Sequence, residues 1–328
     1  MAASPAASFA LVPQHYDPAL AATQSYFVAV AHPGETFTNS VRVRNLGTKA
    51  GTALLYAVDA TTGKTSGAVY LDRTKPHPGV GSWVTLGASF LTLGPGESKV
   101  VPITVHVPAG ASPGDHLGGI VAENAALTGA TGRGALQINV RHLTIAAVEV
   151  QIPGTAAAAL RIGGAKAGGE HGYQYLYLRL ANTGSLTTKP TGRLTVTDAS
   201  GKEVASRGFN LDTFLPGTAI DYPVLLPGKV LEPGDYRVNA AVTYAAAAIG
   251  YRRTPGPTKT ISRSLPFTVT DGQYASVFNG VKPVNANQQH RGTPSGSPPY
   301  ILVGVAAIGA LLGGIAVLLV LLRRRAAP

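Results

Sequence analysis

Thr36-Phe-Thr-Asn-Ser-Val-Arg-Val-Arg-Asn45 decides the fold. Phe37, Asn39, Val41 and Val43 fall on one face and Arg42 and Arg44 on the other, the two-residue period of a half-buried antiparallel strand. Pro33-Gly34 turns the chain into it, and Asn45-Leu-Gly47 turns the chain out. On either side the same grammar repeats. Phe9-Ala-Leu-Val-Pro13 and Ser25-Tyr-Phe-Val-Ala-Val30 precede it. Ala53-Leu-Leu-Tyr-Ala-Val-Asp59, Ser82-Trp-Val-Thr-Leu86, Lys99 to Pro108, His116 to Ala122 and a long run from Ala135 to Ile152 follow. Short runs bounded by Gly, Pro, Asn and Asp at this spacing predict a β-sandwich over residues 9–152. Pro102 inside its run predicts an edge strand or a bulge. No helical window of convincing length appears before residue 300.

The pattern then recurs. In Tyr173-Gln-Tyr-Leu-Tyr-Leu-Arg-Leu-Ala-Asn-Thr-Gly184, the tyrosines alternate with Gln174, Leu176, Leu178 and Leu180. The run closes in Asn182-Thr-Gly184 as the earlier one closes in Asn45-Leu-Gly47. Leu215-Pro-Gly217 and Pro233-Gly-Asp-Tyr236 echo Leu93-Gly-Pro-Gly96 and Pro113-Gly-Asp-His116. Each pair places a turn before a strand at matching points. A tandem duplication of one sandwich unit is expected, the second copy covering 154–271. From 272 to 299 the pattern stops in an Asn-, Gln-, Gly-, Ser- and Pro-rich stretch, read as a stalk that buries too little apolar surface to fold alone.

Tyr300 to Leu322 carries no charge and is long enough, as a helix, to cross the roughly 30 Å hydrocarbon core. Arg323, Arg324 and Arg325 follow directly as a short basic tail, residues 323–328, which places the C-terminus in the cytoplasm and the domains outside. Gly309-Ala-Leu-Leu-Gly313 has the small-xxx-small spacing that lets two spans pair as a weak homodimer, although Gly and Ala are frequent in membrane helices generally. Met1 to Ser8 shows neither a basic nor an apolar signal region. The expectation is an export signal missing from this chain, against a tail-anchored protein with cytosolic domains.

Composition bounds the function. There is no cysteine, so disulfides and thiolate metal sites are excluded, and a bacterial exterior fits better than a eukaryotic one. Charged residues make up 13% of the chain while Gly (40) and Pro (24) abound, which favours an all-β chain over a helical one. The net charge of +11 is spread singly rather than in the stripe of a nucleic-acid binder. Gly110-Ala-Ser112-Pro-Gly114 has the spacing of a serine-hydrolase elbow, but the residue after the serine is Pro113, which cannot supply the oxyanion-hole N–H. The eight histidines are dispersed, and Asp59, Asp115, Asp198 and Asp235 sit in turns. No catalytic residue, metal site or cofactor is expected.

One order of motifs is more specific than its parts. Tyr26-Phe27, Pro33-Gly34, the strand ending in Asn45, Asp59-Ala-Thr-Thr-Gly63, Tyr70, Trp83, Leu93-Gly-Pro-Gly-Glu97, Val107-Pro108 and Pro113-Gly-Asp-His-Leu-Gly-Gly-Ile120 follow one another. The first unit thereby resembles the peptidoglycan-binding domain of the WxL-interacting proteins. Those are Gram-positive surface proteins with two immunoglobulin-like domains, one C-terminal membrane span and a basic tail. The resemblance implies an all-β chain of two tandem immunoglobulin-like sandwiches, anchored as a single-pass type I protein with its domains in the cell wall. It implies non-catalytic binding to peptidoglycan through the first domain and, in some members, to a secreted WxL protein. The alternative reading is an assembly or adhesion role, in which strand edges bind a secreted partner. The second domain matches the family's host-binding domain only loosely.

Six residues are candidates for ligand contact, each with a structural counter-reading. Trp83 is either a sandwich-core ring or an exposed face for a glycan, and Tyr70 shares the two readings, as does Tyr56 outside these six. His116 beside Gly118-Gly119 either lines a close backbone approach or marks a bulge. Asp59, Thr61 and Asn45 either bind sugar or stem-peptide groups or stabilise turns.

Overall fold

The computed structural model describes residues 6–131, 137–226, 230–247 and 256–278. The expected span Tyr300–Leu322, its Gly309 and Gly313, the arginine tail and most of the expected stalk lie outside these residues. No helix among the described residues is long and apolar enough to cross a membrane.

The first unit contains β1 (Phe9–Pro13), β2 (Phe27–Val30), β3 (Thr36–Asn45), β4 (Gly51–Thr62), β5 (Ala68–Tyr70), the single turn α1 (Val80–Trp83), β6 (Val84–Leu86), β7 (Phe90–Leu93), β8 (Ser98–His106), β9 (Gly114–Asn124), the hairpin β10 (Thr128–Thr131) and β11 (Gln137–Val140), and β12 (Leu143–Ile152). One sheet has the order β1-β3-β8-β6; the other is β2-β12-β9-β4-β5, with β7 also on β4. This is the immunoglobulin-like arrangement, with the first strand split between sheets. β1 runs antiparallel to β3, whereas β2 has crossed over and runs parallel to β12. Alternate residues fill the space between: Val41, Val43, Ile103 and Ile120 are fully or almost fully buried. Pro102 lies just past the last β6–β8 pair, Leu86 with Ile103, and its carbonyl accepts the Gly87 N–H, so the missing donor falls where β6 has ended.

The second unit is β13 (Leu160–Glu170), β14 (Tyr173–Asn182), β15 (Thr191–Asp198), β16 (Glu203–Asn210), β17 (Ala219–Leu225), β18 (Gly234–Tyr244) and β19 (Lys259–Val269), in sheets β13-β14-β17 and β16-β15-β18-β19. Leu176, Leu178 and Leu180 face inward at zero exposure. The duplication extends to register, since Leu160 lies opposite Asn182 as Phe9 lies opposite Asn45. The structure also shows a helix where a stalk was expected. α2 (Asp271–Phe278) follows the last strand and buries Val277 and Phe278, and Gly172 donates its N–H to the Val277 carbonyl. Tyr274, Val277 and Phe278 stand at the i, i+3, i+4 spacing of one helical face.

The sandwiches meet through buried and part-buried hydrogen bonds. The Thr62 hydroxyl lies 2.7 Å from the Thr218 hydroxyl and accepts the Leu215 N–H, while Thr218 donates to the Leu215 carbonyl, closing a small ring. The Ser66 hydroxyl accepts from the Asp212 N–H. Asp115 takes the Thr187 N–H on its carboxylate at 2.8 Å and donates its own N–H to the Ser185 carbonyl. Gly114, at φ 132°, opens β9 against Ser185, where a Cβ would come within 2.2 Å of that carbonyl oxygen.

Candidate functional site

The six sequence candidates divide between the two ends of β4. Asn45 is at one end and wholly enclosed. Its amide donates to the Lys49 and Leu93 carbonyls and its side-chain oxygen accepts from the Ser8 and Gly47 N–H groups. That uses the side chain's hydrogen-bonding capacity on the protein itself, which corrects the ligand reading of Asn45.

At the other end, Asp59, Trp83 and His116 come together around α1. The buried Asp59 carboxylate accepts the Gly79 N–H at 2.8 Å and the Gly81 N–H at 2.6 Å, and its own N–H donates to His77 Nδ1. Trp83 is 6% exposed and belongs to the core, its ring 4.9 Å from the His116 imidazole. His116 Nε2 donates to the Ser112 carbonyl. The core reading of Trp83 is therefore the one the structure adopts. Tyr70 lies on the opposite, outer side of the sheet, over Gly119, where a Cβ would meet its ring at 2.7 Å. Burial, and then Tyr26 nearby, push its hydroxyl up to about 12. Thr61 is half-buried opposite Val69.

Tyr56 belongs to a polar clasp for which the sequence carried no signal. Its hydroxyl donates to the buried Glu123 carboxylate at 2.6 Å, and Arg141 Nε reaches the same carboxylate at 3.2 Å. Arg73 stands 3.8 Å from Glu123 and 5.9 Å from the Tyr56 ring centroid, and Asp72 sits 4.0 Å from Arg141. Two guanidinium groups and two carboxylates cancel in charge. The clasp pins the segment after β5 across the outer face of β4 and β9.

The strand edges differ in kind. β16 and β19 are the outer strands of the second unit's four-stranded sheet, and each carries an arginine on its core-facing side. Arg207 pairs with the buried Leu194, and Arg263 pairs with the buried Ala240 and donates to the Ile162 carbonyl at 2.8 Å. A charge on the inward side of an edge penalises any strand that would bury it. β2 has no such guard. Phe27-Val-Ala-Val30 is uncharged, and Ala31 donates its N–H to Gln151. By the alternation of a parallel ladder, Ala29 also faces β12 while the main-chain groups of Val28 and Val30 turn outward. Val30 is 45% exposed. Beside this edge a cleft of about 130 Å³ opens between the two sheets, walled by Phe27, Phe37, Ile103, Val105 and Val148, with Asn39 and Glu149 among its polar lining. The first half of β3 flanks it, because β1 covers β3 only from Val41 to Asn45.

No family model matches the chain, and no curated protein matches it. Among solved structures, a chain from a chaperone–tip adhesin complex of CFA/I fimbriae biogenesis is 11% identical, with 79% of this chain and 98% of that one covered and a TM-score of 0.38. A chain from the Salmonella enterica SafA pilin–SafB chaperone complex is 10% identical over 81% and 99%, at 0.35. The E. coli chaperone DraB is 13% identical over 79% and 97%, at 0.34. Likeness this remote carries no argument about function.

Proposed function

We propose that the chain is a non-catalytic bacterial surface protein that holds a secreted protein partner by strand addition at β2. One observation carries this. β2 is an uncharged edge with outward-facing main-chain groups beside an apolar cleft, while the outer strands β16 and β19 of the second sandwich are guarded by Arg207 and Arg263. An added strand would gain main-chain hydrogen bonds from Val28 and Val30 and place alternate apolar side chains between Phe27 and Phe37. The membrane span Tyr300–Leu322 and its arginine tail would hold this edge outside the cell. Wall attachment through the first sandwich, the other expectation, rests on the family resemblance. Asn45, Asp59 and Trp83 are too enclosed to form its surface.

The absence of cysteine makes a direct test available. Val30→Cys places a unique thiol at the edge, and Asn210→Cys places one at the exposed end of β16 with the guarding Arg207 left in place. A thiol-reactive crosslinker applied to intact cells should yield one discrete protein adduct with the Val30 variant and none with the Asn210 variant. Equal labelling at both sites, or none at Val30, sinks the reading. Co-sedimentation of the full chain with purified peptidoglycan, unaffected by Val30→Lys, would move the function to the wall.

A further inference from the structure

The outer face of the sheet β13-β14-β17 bears an aromatic track that the strand-edge reading leaves unused. Tyr173, Tyr175 and Tyr177 alternate along β14 with the fully buried Leu176 and Leu178, so they sit on the solvent side, each half-buried. The Tyr175 and Tyr177 ring centroids are 6.2 Å apart at 45°. Gly168 on the neighbouring strand leaves room for the Tyr177 ring, since a Cβ there would stand 3.1 Å from Tyr177 Cε2. The polar groups beside the rings are fixed in place as well. Lys166 Nζ is 2.8 Å from Asp221 and 5.9 Å from the Tyr177 ring centroid, and Arg179 shares Asp221 at 3.4 Å.

We infer that this face binds a carboxylate-bearing polysaccharide strand. A sugar presents an apolar C–H face and a hydroxyl rim, and a tyrosine ring offers the matching apolar face with a polar tip. The rings stand in file at about 6.8 Å per two residues of strand, a shallow track rather than the pocket a protein anchor needs. Charge selects the ligand further. Lys166, Arg179 and Arg161, which lies opposite the outward Ala181, face two carboxylates, Asp221 and Glu170, leaving one positive charge in surplus. Arg179 has a guanidinium that can engage a carboxylate with two N–H groups.

The test measures binding of the full chain to three soluble polymers: polygalacturonate, uncharged dextran and dextran sulfate. Polygalacturonate should bind, and dextran should bind at least about tenfold more weakly. Tyr175→Ala/Tyr177→Ala should weaken polygalacturonate binding about tenfold, with Tyr175→Phe/Tyr177→Phe retaining most of it. Lys166→Glu/Arg179→Glu, which leaves the rings in place, should also lose it and covers the case in which the alanine pair fails to fold. Wild-type binding to polygalacturonate no stronger than to dextran overturns the inference. So does tyrosine-independent binding to dextran sulfate of equal strength, which would mean bulk basicity. Binding unchanged in the alanine pair overturns it too and would leave the face to a protein.

Discussion

Asn182 repeats most of the work of Asn45, lacking only a counterpart of the Ser8 N–H bond. Its amide donates to Leu186 and Phe214 carbonyls, its oxygen accepts the Gly184 N–H, and its carbonyl accepts the Gly217 N–H as Asn45 accepts that of Gly96. In each sandwich one buried amide ties the strand end to the turn that follows and to a second turn some thirty or more residues on. Gly47 and Gly184 complete the device, since a Cβ at either would meet backbone within 2.3 Å. Removing the amide leaves several buried carbonyl and N–H groups without partners. Asn45→Ala and Asn182→Ala should each cost about 2–4 kcal/mol, read as a lowered urea midpoint with an unchanged slope. The sequence showed the twin motifs, and hence the duplication, because both are local. It did not show which side chains were spent inside the protein. Asn45 and Trp83 are residue types that serve cores and ligands alike, and only the partner atoms, distant in sequence, distinguish them.

At the scale of elements, the segment from β5 to α1 depends on Tyr70 and the Glu123 clasp to stay on the sheet. Burial raises the Tyr70 hydroxyl to about 12, against about 10 in an unfolded chain. The folded protein therefore keeps a proton that the unfolded chain releases. This contribution is whole below pH 10 and disappears as pH rises through 12. Tyr56 is displaced in the same direction, by burial first and then by its bond to Glu123. Stability measured between pH 9 and 12 should fall steeply, and Tyr70→Phe should flatten part of that fall. A profile indifferent to Tyr70→Phe would show that the ring is not held as described. Strands here were legible from period-two alternation, as in β3 and β14. The two helices were not. α1 is one turn held by the Asp59 carboxylate from another strand, and α2 takes its apolar face from contact with β13 and β14 rather than from a strong pattern of its own.

Across the whole molecule, Thr62, Ser66 and Asp115 bind the first sandwich to residues about 70 to 155 positions away in the second. The Thr62 and Asp115 bonds are buried and the Ser66 bond part-buried, so each should contribute about 1–2 kcal/mol to holding the sandwiches together. Calorimetry of the wild-type chain should show the sandwiches unfolding in one transition. Thr62→Val combined with Asp115→Ala should split it into two, and a single unshifted transition in the double variant would show that the contacts do not couple the units. No local pattern announces such bonds. Asp115 read as a turn aspartate because its Pro-Gly-Asp setting is a turn signal, and the same setting delivers it to Thr187.

Arg207 and Arg263 have a consequence for life at high density. A chain crowded among its own copies meets the flank of a neighbour far more often than it meets any partner. Unguarded sheets in that setting would grow into one another, and the product would be a fibre rather than a coat. With both borders of the four-stranded sheet closed by charge, growth through that sheet stops at each copy, and pairing is left to the edges that carry no such charge.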